Sequence, residues 1–234
     1  LTMKNILLLL TLSVCLFFPK NGNAQINQDA MGAWYMYFFN TTINESPWGV
    51  QGDIQCRNWN IAGDLEQLLL RGGITYQPEM ADVKMTLGYG HITTGVYGAD
   101  KSTSSESRIY QEVLFPVKFS NRLHTNHRFR YEQRFAENQA LRTRYRYNVF
   151  LNIPLNKPEM DNKTLYLALY NEIFINGQRN TGNGNHVEIF DRNRLYAALG
   201  YIIQKGRKVQ LGVMRQTTDQ WSKNQLQFSF HQTI

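Results

Sequence analysis

The residues best suited to chemistry in this chain are arginines. Arg142, Arg144 and Arg146 take every second position of Arg142-Thr143-Arg144-Tyr145-Arg146-Tyr147-Asn148-Val149, and Arg128, Arg130 and Arg134 keep the same frame upstream, with Glu132 among them. A guanidinium stays protonated and binds carboxylates or phosphates through a planar fork of N–H donors. A ladder of them makes a salt-bridged lattice where carboxylates stand opposite, and an anion-attracting surface where they do not. Glu112, Glu132 and Glu172 are the candidate partners, and Arg194 continues the frame further along.

The other reactive groups carry less. His124-x-x-His127 resembles a metal pair. A spacing of three puts the two on opposite faces of a strand, so they cannot chelate together unless the strand bulges. His186-x-Glu188 has the parity to share a face, and with His91 it forms the set that could do acid–base work at a rim. The plainer reading of each is a surface histidine. Cys56 shares its parity with Val50, Gly52 and Ile54 on an apolar face, which predicts a buried, structural thiol. There is no Gly-x-Ser-x-Gly, phosphate-binding loop or Cys-x-x-Cys. The sequence therefore assigns no catalytic residue, no metal ligand and no cofactor.

The arginines need an extended backbone to share a face, and the chain supplies it. From Trp34 to Phe230, segment after segment alternates apolar with polar side chains, as a strand with two dissimilar faces requires. Candidate strands lie near 31–41, 48–57, 64–76, 83–94, 107–118, 122–134, 140–152, 163–176, 192–203, 207–217 and 223–232. Their length, about ten residues, is what crossing a bilayer at a tilt needs. Asp64 to Leu70 could pass for a helix, but Arg71-Gly72-Gly73-Ile74-Thr75-Tyr76 favours a strand kinked at its glycines. Parity places Leu87, Val113, Tyr145, Leu167, Leu199 and Phe228 outward, and Asp53, Arg57, Arg71 and Lys84 inward with the ladder. Gaps at 77–82, 119–121, 153–162 and 204–207 fall at one end. The longest gaps, 95–106 and 177–190, fall at the other, as in a membrane barrel. Eleven candidates is an odd count, so either a strand is missed or 31–41 is not a full stave; the expectation is ten to twelve.

A leader precedes the barrel. Lys4 opens an apolar run from Ile6 to Phe18, and Gly22-Asn23-Ala24 offers a cleavage site before Gln25. This divides the chain into a signal peptide over 1–24, read by the Sec route, and one barrel domain over 25–234. Removing Lys4 and Lys20 lowers the formal charge from +7 to +5. One cysteine then remains, so no internal disulfide can form. A basic balance can signal nucleic acid, but arginines alternating with apolar residues behind an export signal favour a charged lumen, so no nucleic-acid partner is expected. The expected location is the cell outer membrane. The expected partners are its lipid and, during biogenesis, the barrel-insertion machinery.

Several segments carry a family resemblance. They are Arg142 to Leu155, Tyr166-Leu167-Ala168-Leu169-Tyr170-Asn171-Glu172-Ile173-Phe174-Ile175-Asn176, Asp191-Arg192-Asn193-Arg194-Leu195-Tyr196, Asp64 to Arg71, and Arg130-Tyr131-Glu132-Gln133-Arg134-Phe135. Their order resembles the Bacteroidota outer-membrane barrels classed as "domain of unknown function 2490". The resemblance covers nearly all of the chain after the leader. It implies fold and location, and supplies no catalytic residue.

These readings predict an all-β, antiparallel, up-and-down transmembrane barrel. Its lumen is expected to be filled by a salt-bridged network of Arg128, Arg130, Glu132, Arg134, Arg142, Arg144, Arg146, Glu112, Glu172 and Arg194. A structural or interaction role without enzymatic activity follows, because a narrow barrel must fill its interior and a buried charge must be paired. The alternatives are a small anion-preferring channel and a hydrolase with its site at the extracellular rim.

Overall fold

A computed structural model describes residues 28–119 and 123–234. The chain forms eleven long strands: β1 (Gly32–Thr42), β2 (Trp48–Asn58), β3 (Leu65–Tyr76), β4 (Lys84–Gly95), β5 (Thr103–Lys118), β6 (His124–Ala136), β7 (Arg142–Pro154), β8 (Leu165–Asn176), β11 (Phe190–Gln204), β12 (Arg207–Thr217) and β13 (Ser222–Thr233). Two short strands, β9 (Asn180–Gly182) and β10 (Asn185–His186), make a hairpin between β8 and β11. The long strands close into one barrel in which sequence neighbours are spatial neighbours. The seams between successive strands are antiparallel, as short connections require.

The odd count is real, and it explains the difficulty with the first segment. Eleven alternating strands leave the first and last pointing the same way. β1 therefore pairs with β13 in parallel, from Gly32 opposite Gln225 to Asn40 opposite Thr233. β1 is a full stave. Rings reinforce this seam on both faces: Tyr37 stacks on Phe230 at 5.8 Å, and Phe38 on His231 at 4.7 Å. With an odd count, β1 begins at one rim and β13 ends at the other; we call these the N-terminal and C-terminal rims.

Loop lengths at the two rims differ less than the sequence suggests. β5 starts at Thr103, so the gap expected over 95–106 shrinks to 96–102, while 155–164 at the C-terminal rim is longer. Alternation in Ser104-Ser105-Glu106-Ser107 lacks apolar contrast, which hid the first turns of pairing there. The longest connection, 177–189, lies at the N-terminal rim as expected. β3 passes through Gly72 and Gly73 without a break in register against β2 or β4.

The alternation sorts the side chains. Leu87, Leu195, Leu199 and Leu211 stand outward and are more than half exposed, whereas Ala168 and Ala198 beside them are buried inside. Inward space is rationed. A side chain at Gly88 would overlap the ring of Tyr110, and one at Gly200 the ring of Tyr166. Trp34, Tyr166, Tyr196 and Met214 pack with Ala168 and Ala198 into an apolar cluster on the β1–β8–β11–β12 side. Cys56 lies on the expected face, but its thiol is exposed rather than buried. The outer face of a single closed sheet has no second layer to cover it.

Candidate functional site

The site is the ion-pair lattice inside the barrel, built where β5, β6, β7, β8 and β11 present alternate residues to the lumen. Register sets the partners. Glu132 on β6 is opposite Arg144 on β7, and Glu112 on β5 is opposite Arg130 on β6. Arg144 reaches Glu132 through Nε and Nη2 at 2.9 and 2.6 Å, and Arg146 holds the other oxygen at 2.6 Å. Glu172 accepts from Arg146 at 2.6 Å and from Arg128 at 2.7 Å. Glu112 accepts from Arg130 Nε at 2.6 Å and from the Gln51 amide at 3.1 Å. Apart from the half-buried Arg128, these carboxylates and arginines are almost wholly buried; Glu132 is 1 % exposed.

Four carboxylates outside the expected partner set complete the lattice. Glu106 is gripped by both Arg108 and Arg134 at 2.6 Å. Asp191 joins Arg144 at 2.9 Å to Arg192 at 3.1 Å. Asp53 takes the fork of Arg71, at 2.9–3.1 Å. Glu66 accepts from the Trp34 indole at 2.9 Å. Continued parity could have found Glu106 and Arg108, which share the frame of Tyr110 and Glu112. Asp191 precedes the visible alternation of β11.

Aromatic rings serve as a second kind of partner. Phe174 lies under Arg146 at 4.4 Å and Arg194 at 4.7 Å, with Arg144 at 5.2 Å and Arg192 at 5.9 Å. Trp34 lies between Arg57 at 3.8 Å and Arg194 at 4.8 Å. A ring face attracts a guanidinium without adding a second charge to desolvate. Sequence reading missed both rings, because β1 is apolar on both faces and Phe174 sits in a uniformly apolar stretch.

Two expected members depart from the lattice. Arg142 faces inward near the N-terminal rim, with Arg134 opposite it in register; among the described residues it forms no ion pair and its Nε has no hydrogen-bond partner. The Arg134 fork is already spent on Glu106. Arg194 donates chiefly to Gln216 at 2.8 Å, with Glu172 at 3.9 Å.

The rim candidates do not assemble. His91 lies on the exposed outer face of β4. His186 bonds the Gly184 carbonyl at 3.1 Å, and Glu188 pairs with Arg179 at 3.2 Å. His127 meets the Tyr147 hydroxyl at 2.7 Å and Thr125 at 3.0 Å; the His124 side chain lies outside the described set. Among the described residues no cluster of His, Cys, Asp and Glu could hold a metal ion. In the loop 96–102, the Ser102 amide donates to Asp100 at 2.8 Å and holds that carboxyl below its ordinary value.

Cross-strand pairs of opposite charge, and two glutamates each bridging arginines from different strands, describe a packed polar interior. Comparison with curated proteins finds no match, and neither does comparison with solved structures. The family described as "Protein of unknown function (DUF2490)" matches residues 31–227, and the chain belongs to it.

Proposed function

We propose that this chain is an exported outer-membrane barrel, cleaved before Gln25, whose lumen is closed by its own ion pairs and whose role is structural or interactive. The observation carrying this reading is the pairing of an exposed apolar wall with a salt lattice whose central members, Glu132, Arg144, Arg146 and Glu172, are buried. The belt of Leu87, Leu195, Leu199 and Leu211 suits hydrocarbon. The lattice runs unbroken from Asp191 through Arg144, Glu132, Arg146 and Glu172 to Arg128. Each carboxylate in it meets at least two cations, and the Phe174 ring lies beside them. On this reading the lattice closes the lumen at its level.

The experiment is planar-bilayer recording of the refolded protein beside Arg144→Ala. Wild type is expected to be silent, and the variant leaky or less stable. A steady anion-selective current through wild type, weakened by Arg144→Ala, would replace this reading with a channel. Intact-mass analysis and membrane fractionation check cleavage and location; recovery in the soluble periplasmic fraction would overturn the outer-membrane assignment.

A further inference from the structure

On the C-terminal side of the lattice the lumen opens into a cavity of about 420 Å³. Its walls reach Asn40, Asn152 and Lys208, close to the ends of β1 and β7 and the start of β12, so its mouth is at the C-terminal rim. Met36, Phe38, Leu114, Phe150, Tyr170 and Tyr196 line it. Polar side chains such as Gln51, Asn126, Asn148, Gln210 and Gln227 share the wall with them. A cavity of this size that joins an apolar patch to converging polar groups is the usual form of a small-molecule site.

The charge of the wall is unbalanced. Seven arginine and lysine side chains line the cavity, against three carboxylates, Asp53, Glu112 and Glu172. Two of these arginines hold a buried donor that makes no hydrogen bond among the described residues: Arg128 Nε, 3.6 Å from Glu112, and Arg130 Nη1, 3.8 Å from Glu132. Lys208, at the mouth, forms no salt bridge among the described residues. Beyond the floor lies a second void of about 40 Å³, walled by eight arginines and no carboxylate, which shares Arg57, Arg71, Arg146 and Arg194 with the first. Most of these arginines are paired in the lattice, but Arg57 and Lys208 form no salt bridge among the described residues, and an excess of cations in a desolvated interior costs free energy that an entering anion recovers.

We propose that this cavity binds a compact amphiphilic anion. A carboxylate or phosphate head meets Arg128 and Arg130 at the floor, and an apolar or aromatic body lies against Phe38, Phe150, Tyr170 and Tyr196. Lys208 draws the anion toward the mouth. The proposal needs the barrel and its cavity, and it does not depend on the membrane assignment.

Titration calorimetry of the refolded mature chain in detergent, with 4-phenylbutyrate, phenyl phosphate, neutral 4-phenylbutan-1-ol and inorganic phosphate as probes, tests it. At least one aromatic anion is expected to bind saturably and at least tenfold more tightly than both the alcohol and inorganic phosphate. The stronger of the two identifies the head as carboxylate or phosphate monoester. Arg128→Gln should weaken that binding about tenfold. Lys208→Gln, outside the lattice and so safe for folding, should weaken it several-fold and flatten its salt dependence. Alcohol binding as tight as the anions, inorganic phosphate matching phenyl phosphate, or no saturable binding to wild type would each overturn the proposal. Because binding is read in detergent, a bilayer current through wild type would sink the closed-lumen reading and leave this result untouched.

Discussion

At the scale of the residue, Glu132 and Arg142 make a contrasting pair. Glu132 balances Arg144 and Arg146 together. Glu132→Gln leaves a guanidinium excess in a desolvated interior, and breaking a buried pair from one side costs on the order of 3–5 kcal/mol. Urea unfolding of the refolded barrel should register a loss of that order. Arg142 has no ion pair to lose, so Arg142→Gln should change stability by less than about 1 kcal/mol. A large loss from Arg142→Gln would mean that its charge is balanced in solution. The glycines give a steric counterpart. Gly200→Ala drives a methyl group into the Tyr166 ring, and such overpacking costs roughly 1–3 kcal/mol.

At the scale of the element, the two faces of a strand predict opposite responses to one substitution. Leu167 and Leu199 are cross-strand partners facing outward, and Ala168 and Ala198 are partners facing inward. Arginine at an outward, mid-membrane position costs about 2–4 kcal/mol in lipid. Leu167→Arg and Leu199→Arg should therefore lower stability in lipid by about that much and far less in detergent. Ala168→Arg and Ala198→Arg should fail to fold in either, because the packed cluster around Trp34 has no room. The parallel seam has its own test. Tyr35 faces Phe228 in register, so with Cys56→Ser to remove the thiol opposite Tyr35, cysteines at 35 and 228 should cross-link. Cysteines at 35 and 230 should not. The reverse pattern would mean a seam shifted by one pleat.

At the scale of the whole molecule, an odd strand count fixes a relation between the rims. The hairpin β9–β10 and the loop 96–102 share the N-terminal rim, and β13 ends at the other. If the C-terminal rim faces the periplasm, Lys101 and Arg179 point outside the cell, and both side chains are well exposed. Trypsin added to intact cells should cut at those two residues and spare Lys157 and Lys163. Cleavage at Lys157 with Lys101 protected would invert the orientation. Opposed rims also give the two ends different environments: the rim that carries the hairpin lies on the lattice side, and the cavity with its aromatic patch opens at the other.

The sequence by itself determined the strands, their faces and the charged character of the interior. These depend on a period of two, which is local: Arg142, Arg144 and Arg146 share a face whatever stands opposite them. It failed where local contrast was missing, in the serine-rich start of β5 and the doubly apolar β1. Tertiary structure alone decided the partners. Arg144 meets Asp191 across 47 positions of sequence, and Arg128 meets Glu172 across 44, because barrel closure and register bring distant strands to one level. The parallel seam is likewise a property of closure, since no pair of neighbouring strands contains it. So is the cavity beneath the lattice. Its existence depends on how eleven staves curve around side chains of unequal size, and a pattern along one strand carries no measure of the space between strands that face each other.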